Sequence, residues 1–131
     1  MKQRKAVVAV MTAAALGGMT VPAFAATGYF PWTATMTHQV NSRTWTQISG
    51  STVINSKLAC WNPQIGTYKI ELFKNKTFAD ESQGAITFSC GSTTQQYTWK
   101  GLTSGDYHFT IRKATDGIEV TATGSVTYPS N

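Results

Sequence analysis

Residues 97–112 read Tyr97-Thr98-Trp99-Lys100-Gly101-Leu102-Thr103-Ser104-Gly105-Asp106-Tyr107-His108-Phe109-Thr110-Ile111-Arg112. Large apolar side chains recur at every second position on both sides of a glycine-bounded loop. Tyr97 and Trp99 precede it, and Tyr107, Phe109 and Ile111 follow, against His108, Thr110 and Arg112 on the other parity. A period of two is that of a strand with one face in a core, whereas a helix would repeat every 3.6 residues. The same alternation extends outward. Downstream, Asp116-Gly117 suits a tight hairpin because both residues tolerate positive φ, with Ile118, Val120 and Ala122 on the returning arm and Val126 and Tyr128 beyond Gly124. Upstream, Ile86, Phe88 and Cys90 form an inward row, a polar connection fills 74–84, and Tyr68, Ile70 and Leu72 oppose Lys69, Glu71 and Phe73.

Toward the start, Phe30, Trp32, Ala34 and Met36 share one parity and Thr33, Thr35 and Thr37 the other. Asn41-Ser42-Arg43 reads as a turn. Thr44 to Ile54 gives one long strand broken at Ser49-Gly50, or two short ones, with Gly50 marking a bulge. Leu58 and Cys60 approach the core, and Asn62-Pro63 ends that strand because proline cannot donate to a ladder. No window of 11 residues has helical periodicity. About seven short strands at this spacing predict an all-β, antiparallel β-sandwich, with a small barrel as the alternative.

The first 25 residues have a different character. Lys2, Arg4 and Lys5 precede an apolar run from Ala6 to about Val21, followed by Ala23-Phe24-Ala25. Charged start, apolar middle and small residues at the end are the three regions of a signal peptide. Gly17, Gly18 and Thr20 interrupt the run, which is shorter than the roughly 20 apolar residues a membrane span needs. The expectation is a signal peptide at 1–25 and a single secreted, bacterial-type domain at 26–131, with no integral membrane segment after cleavage. Losing Lys2, Arg4 and Lys5 takes eleven basic residues to eight against six acids, so the net charge falls from +5 to +2. Nucleic-acid binding needs a dense basic patch, and Lys69, Lys74 and Lys76 with Glu71 among them do not make one. In an oxidising exterior the two cysteines, Cys60 and Cys90, have only each other, and a bridge closing about 30 residues contributes roughly 3 to 4 kcal/mol.

The corner Leu102-Thr103-Ser104-Gly105-Asp106-Tyr107, between the alternating runs at 97–99 and 107–111, resembles that of fibronectin type III and immunoglobulin-like sandwiches. A leucine, a glycine and a tyrosine two residues later mark that corner in the family. The resemblance implies an Ig-like sandwich in which the Tyr107 hydroxyl bonds back to the corner backbone.

Motifs for chemistry are missing. Glu71, Asp80, Glu81, Asp106, Asp116 and Glu119 fall on turns, loops or solvent faces, and no run supplies the six or more oxygens of a calcium site. His38 and His108 lack ligands or a nucleophile at short spacing, and no nucleophile elbow, phosphate loop or dinucleotide fingerprint occurs. The chain is therefore expected to be no enzyme and to need no cofactor or metal. Four tryptophans are a surplus for this size. Trp32 and Trp99 read as core, whereas Trp45 falls opposite Ile48 and Trp61 opposite Leu58 and Cys60, which makes Trp45 and Trp61 the ligand-binding candidates. The expected function is a non-catalytic extracellular module binding an envelope glycan or a protein. The alternative is a secreted antagonist, an antibacterial toxin or a protease inhibitor presenting Lys57-Leu58-Ala59-Cys60.

Overall fold

The computed structural model describes residues 26–58, 66–114 and 117–131. Nine strands follow in order: β1 (Ala26–Met36), β2 (Gln39–Asn41), β3 (Trp45–Gln47), β4 (Gly50–Leu58), β5 (Thr67–Lys74), β6 (Glu81–Ser89), β7 (Gln95–Leu102), β8 (Gly105–Arg112) and β9 (Val120–Ser130). One sheet has the order β1-β9-β4-β7; the other runs β2-β8-β5-β6, with β3 also on β8. Every pairing is antiparallel. The all-β sandwich expected from the alternation is what the chain forms. The described residues form more strands than the roughly seven expected, and β2 and β3 are two short pieces along one edge. Between them Ser42 continues the ladder, its N–H donating to Phe109 O and its Oγ accepting from Phe109 N, both at 2.8 Å.

The inward rows are those the alternation marks. Phe30, Ala34 and Met36, then Tyr68, Ile70 and Leu72, then Tyr107, Phe109 and Ile111, then Val120, Ala122 and Val126, are all buried. The Tyr107 hydroxyl donates to Thr103 O at 2.6 Å, the corner bond implied by the resemblance. That corner carries the chain from one sheet to the other. Other connections cross as well; that from β3 to β4 keeps the reading of 44–54 as two short strands with a bulge at Gly50, and that from β8 to β9 corrects the reading of 112–120. The break at Ser49-Gly50 is a crossing between sheets, with a register shift between Gly50 and Thr52. Likewise β8 and β9 do not form a hairpin: β9 pairs with β1 and β4 in the opposite sheet, and Thr115 and Asp116 lie outside the described residues. In the Ig arrangement the last strand stays beside the penultimate one. Here β9 instead pairs with β1 and β4, in the sheet opposite β8.

The buried polar residues Gln47, Thr52, Ser56 and Lys113 are paired, as burial requires. Gln47 accepts on Oε1 from Trp45 Nε1 at 2.9 Å and from Thr52 Oγ1 at 2.6 Å. Ser56 of one sheet meets the Tyr68 hydroxyl of the other at 2.7 Å, and burial pushes the Tyr68 phenol up from 10.0 while the serine contact pulls it down. Lys113, buried beyond β8, donates to Thr37 O and Ala114 O, each at 3.0 Å, and so pins the β1–β2 turn.

Candidate functional site

Antiparallel pairing sets side chains of neighbouring strands about 4.8 Å apart, and alternate residues of one strand about 6.8 Å apart. On the outer face of the β1-β9-β4-β7 sheet this geometry assembles cross-strand rows. Tyr29, Thr127, Val53 and Thr98 form one; Pro31, Ser125, Asn55 and Gln96 form the next; Thr33, Thr123 and Lys57 follow, then Thr35 and Thr121. The second row is hydrogen-bonded along its length: Gln96 Nε2 donates to Asn55 Oδ1 at 3.0 Å, and Asn55 Nδ2 donates to Ser125 Oγ at 3.2 Å. Thr35 and Thr121 share a hydroxyl contact of 3.1 Å. Tyr29 is 62% exposed beside this row, an aromatic ring standing on a bed of amides and hydroxyls.

In these rows the only charged side chain is that of Lys57, with Lys100 farther along β7, and no carboxylate occurs. The face therefore has no pair of acids for general acid–base work and too few cations for a polyanion. It offers neutral donors and acceptors and one flat apolar ring, which matches a ligand with hydroxyl groups on an apolar ring face.

Sequence-predicted site residues fare differently. Trp45 is a correction: it is 4% exposed, central to a cluster with Phe30 (5.5 Å between centroids), Tyr128 (5.8 Å), Tyr107 and Phe109 (6.3 Å each). Parity relative to Ile48 places it outward, but β3 and β4 belong to different sheets, so the inward set changes from Trp45 and Gln47 to Thr52, Ile54, Ser56 and Leu58 across the crossing. Trp61 and Cys60 lie outside the described residues, as do the segment 1–25 and Asn62-Pro63. Cys90 packs half-buried against the core. Of the segment Lys57-Leu58-Ala59-Cys60, Lys57 is exposed on the outer face of β4 and Leu58 is fully buried, while Ala59 and Cys60 lie outside the described residues. Trp99 is core as expected, and Trp32, also read as core, is only partly buried at the edge of the core cluster.

His108 has more company than its sequence neighbours imply. Its Nδ1 donates to Asn75 Oδ1 at 2.6 Å, its Nε2 lies 3.9 Å from Asp80 Oδ2, and its ring stacks on Phe73 at 5.3 Å. These contacts, with Asn75 N–H to Asp106 O (2.8 Å) and Lys76 N–H to Asp80 Oδ1 (3.2 Å), hold the β5–β6 loop. At its tip Phe78 is fully exposed. His38 Nδ1 contacts Lys113 O at 2.9 Å. Tyr29 was legible from its parity opposite Phe30 and Trp32; the Ser125-Asn55-Gln96 row was not, since it depends on the order of three strands distant in sequence.

No family model and no curated protein matches this chain. Among solved structures, a chain of desmodium yellow mottle tymovirus is 11% identical, with 91% of this chain and 95% of that one covered and a TM-score of 0.35. A likeness of that size carries no argument about function. Among the described residues no three His, Cys, Asp or Glu side chains cluster to hold a metal ion, and no helix is long and apolar enough to cross a membrane.

Proposed function

We propose that the chain is a secreted, non-catalytic binding module of Ig-like sandwich type, which recognises a neutral glycan of a cell envelope on the outer face of its four-stranded sheet. The observation that carries this reading is the hydrogen-bonded Ser125-Asn55-Gln96 row beside the exposed Tyr29 ring. Asn55 and Gln96 keep further amide valences for sugar hydroxyls, and the ring supplies the stacking surface. Export through the signal segment 1–25 is part of the proposal. So is a Cys60–Cys90 bridge, supported by two bonds that bring both ends of 59–65 to Cys90: Gly91 N–H to Leu58 O at 3.0 Å and Cys90 N–H to Gly66 O at 3.1 Å.

A protein partner is the second reading, favoured by Phe78 at its loop tip. Retention of the mature protein on isolated envelope polysaccharide decides between them. Tyr29→Ala and Gln96→Ala should each abolish retention without changing the melting temperature, while Phe78→Ala retains it. If Phe78→Ala alone loses envelope binding, and protease treatment of the envelopes has the same effect, the partner is a protein and the sheet face is not the site.

A further inference from the structure

The sandwich has two flanks where edges of its sheets face each other, and a tryptophan stands at each. On the β6/β7 flank, Trp99 Nε1 donates to Gly84 O at 3.2 Å. On the β1/β2 flank, the Trp32 ring lies 5.2 Å from that of Phe109, but its buried Nε1 has no hydrogen-bond partner among the described residues. Native structures rarely leave such an N–H without a partner. The same flank holds a groove of about 190 Å³ walled by Phe30, Trp32, Val40, Phe109 and Ile111, with Arg43 among its lining residues. The Arg43 guanidinium sits 4.8 Å over the Phe30 ring and has no hydrogen bond or ion pair among the described residues. No carboxylate lines the groove. Its walls are mainly apolar, with Thr33, Asn41 and Ser42 also lining it, and the Trp32 N–H and the exposed Arg43 cation, both without a protein acceptor among the described residues, make the complementary occupant apolar and anionic.

We propose that this groove binds a small apolar carboxylate, about the size of one aromatic ring, independently of the glycan face. Its ring fills the apolar walls, its carboxylate pairs with Arg43, and a small rotation of the indole lets Trp32 Nε1 donate to it. Addition of a peptide strand to the β1 edge is the poorer fit, because Pro31 sits mid-strand in β1 and has no N–H to offer.

The test is an NMR titration of the mature protein with phenylacetate and with phenylacetamide, its neutral counterpart of equal size. The Trp32 indole N–H and the Val40 and Ile111 amides report the site. Saturable shifts with phenylacetate are expected, at least about tenfold tighter than with the amide. Arg43→Gln should remove that preference with an unchanged melting temperature, and Trp32→Phe should weaken phenylacetate binding severalfold. Equal binding of acid and amide, an unaltered affinity in Arg43→Gln, or no saturation up to about 10 mM overturns the proposal. Arg43 is exposed, so its variant decides the outcome even if Trp32→Phe fails to fold.

Discussion

At the scale of single residues, the Trp45–Gln47 and Tyr107–Thr103 bonds differ in how far their neighbours in sequence reveal them. Trp45 lies within 6.3 Å of four other aromatic rings and donates its indole N–H to buried Gln47. Trp45→Ala removes that packing and strands the Gln47–Thr52 pair, so it should cost about 3–5 kcal/mol, near the upper end for core truncations. Chemical denaturation checks the loss; a cost below about 1 kcal/mol would mean that the ring is not in the core. Tyr107 is the milder case. Tyr107→Phe keeps the ring and loses only the bond to Thr103 O, so the expected loss is about 1 kcal/mol. Both tyrosine and corner were readable from Leu102, Gly105 and Tyr107 alone, because the corner is local. Trp45 was not, because its orientation depends on which sheet its strand joins.

At the scale of elements, β9 is the strand whose place could not be read and on which the four-stranded sheet depends. It runs between β1 and β4, and at Gly124 it passes so close to both that a methyl group has no room: a Cβ there would lie 1.9 Å from Asn55 O and 2.6 Å from the Trp32 ring. Backbone cannot yield as a flexible side chain does. Gly124→Ala should therefore destabilise by about 1–3 kcal/mol or more. Gly28 provides the contrast, since its Cβ would meet only the Tyr128 ring that covers it, directly opposite in register. Gly28→Ala should cost less than Gly124→Ala in parallel thermal melts, and the reverse order would show that β9 is not held as tightly as its register implies. Alternation identified the inward rows of β1, β5, β8 and β9 residue by residue, since period-two burial is a property of each strand alone. It cannot report which strands become neighbours. Asp116-Gly117 has the local chemistry of a hairpin, yet burying the apolar face of β9 against β1 and β4 takes the chain across to the other sheet.

At the scale of the whole molecule, two sheets pack through an apolar interior, and the Ser56–Tyr68 bond is a polar link directly between them. Tyr68 is buried, and desolvation raises its phenol above 10.0 with the serine contact acting in the opposite direction. The folded protein thus favours the neutral phenol more than the unfolded chain does. A group whose folded pKa is raised contributes stability that is fully present below its unfolded value, and that is lost as pH climbs through the unfolded and then the folded pKa. Melting temperature should accordingly be insensitive to Tyr68 up to about pH 9 and fall above about pH 10, as the unfolded state begins to release a proton that the native core retains. Other tyrosines and the lysines titrate in the same range, so Tyr68→Phe isolates the contribution. The variant leaves the Ser56 hydroxyl without its partner and should be less stable near neutrality by about 1–3 kcal/mol. Its deficit should shrink as pH rises, because phenylalanine has no proton to lose. The measurement is the difference in melting temperature between the two proteins from about pH 7 to pH 11. A constant difference across that range would mean that the phenol ionises as easily in the fold as out of it, and that the contact between the sheets admits water at Tyr68.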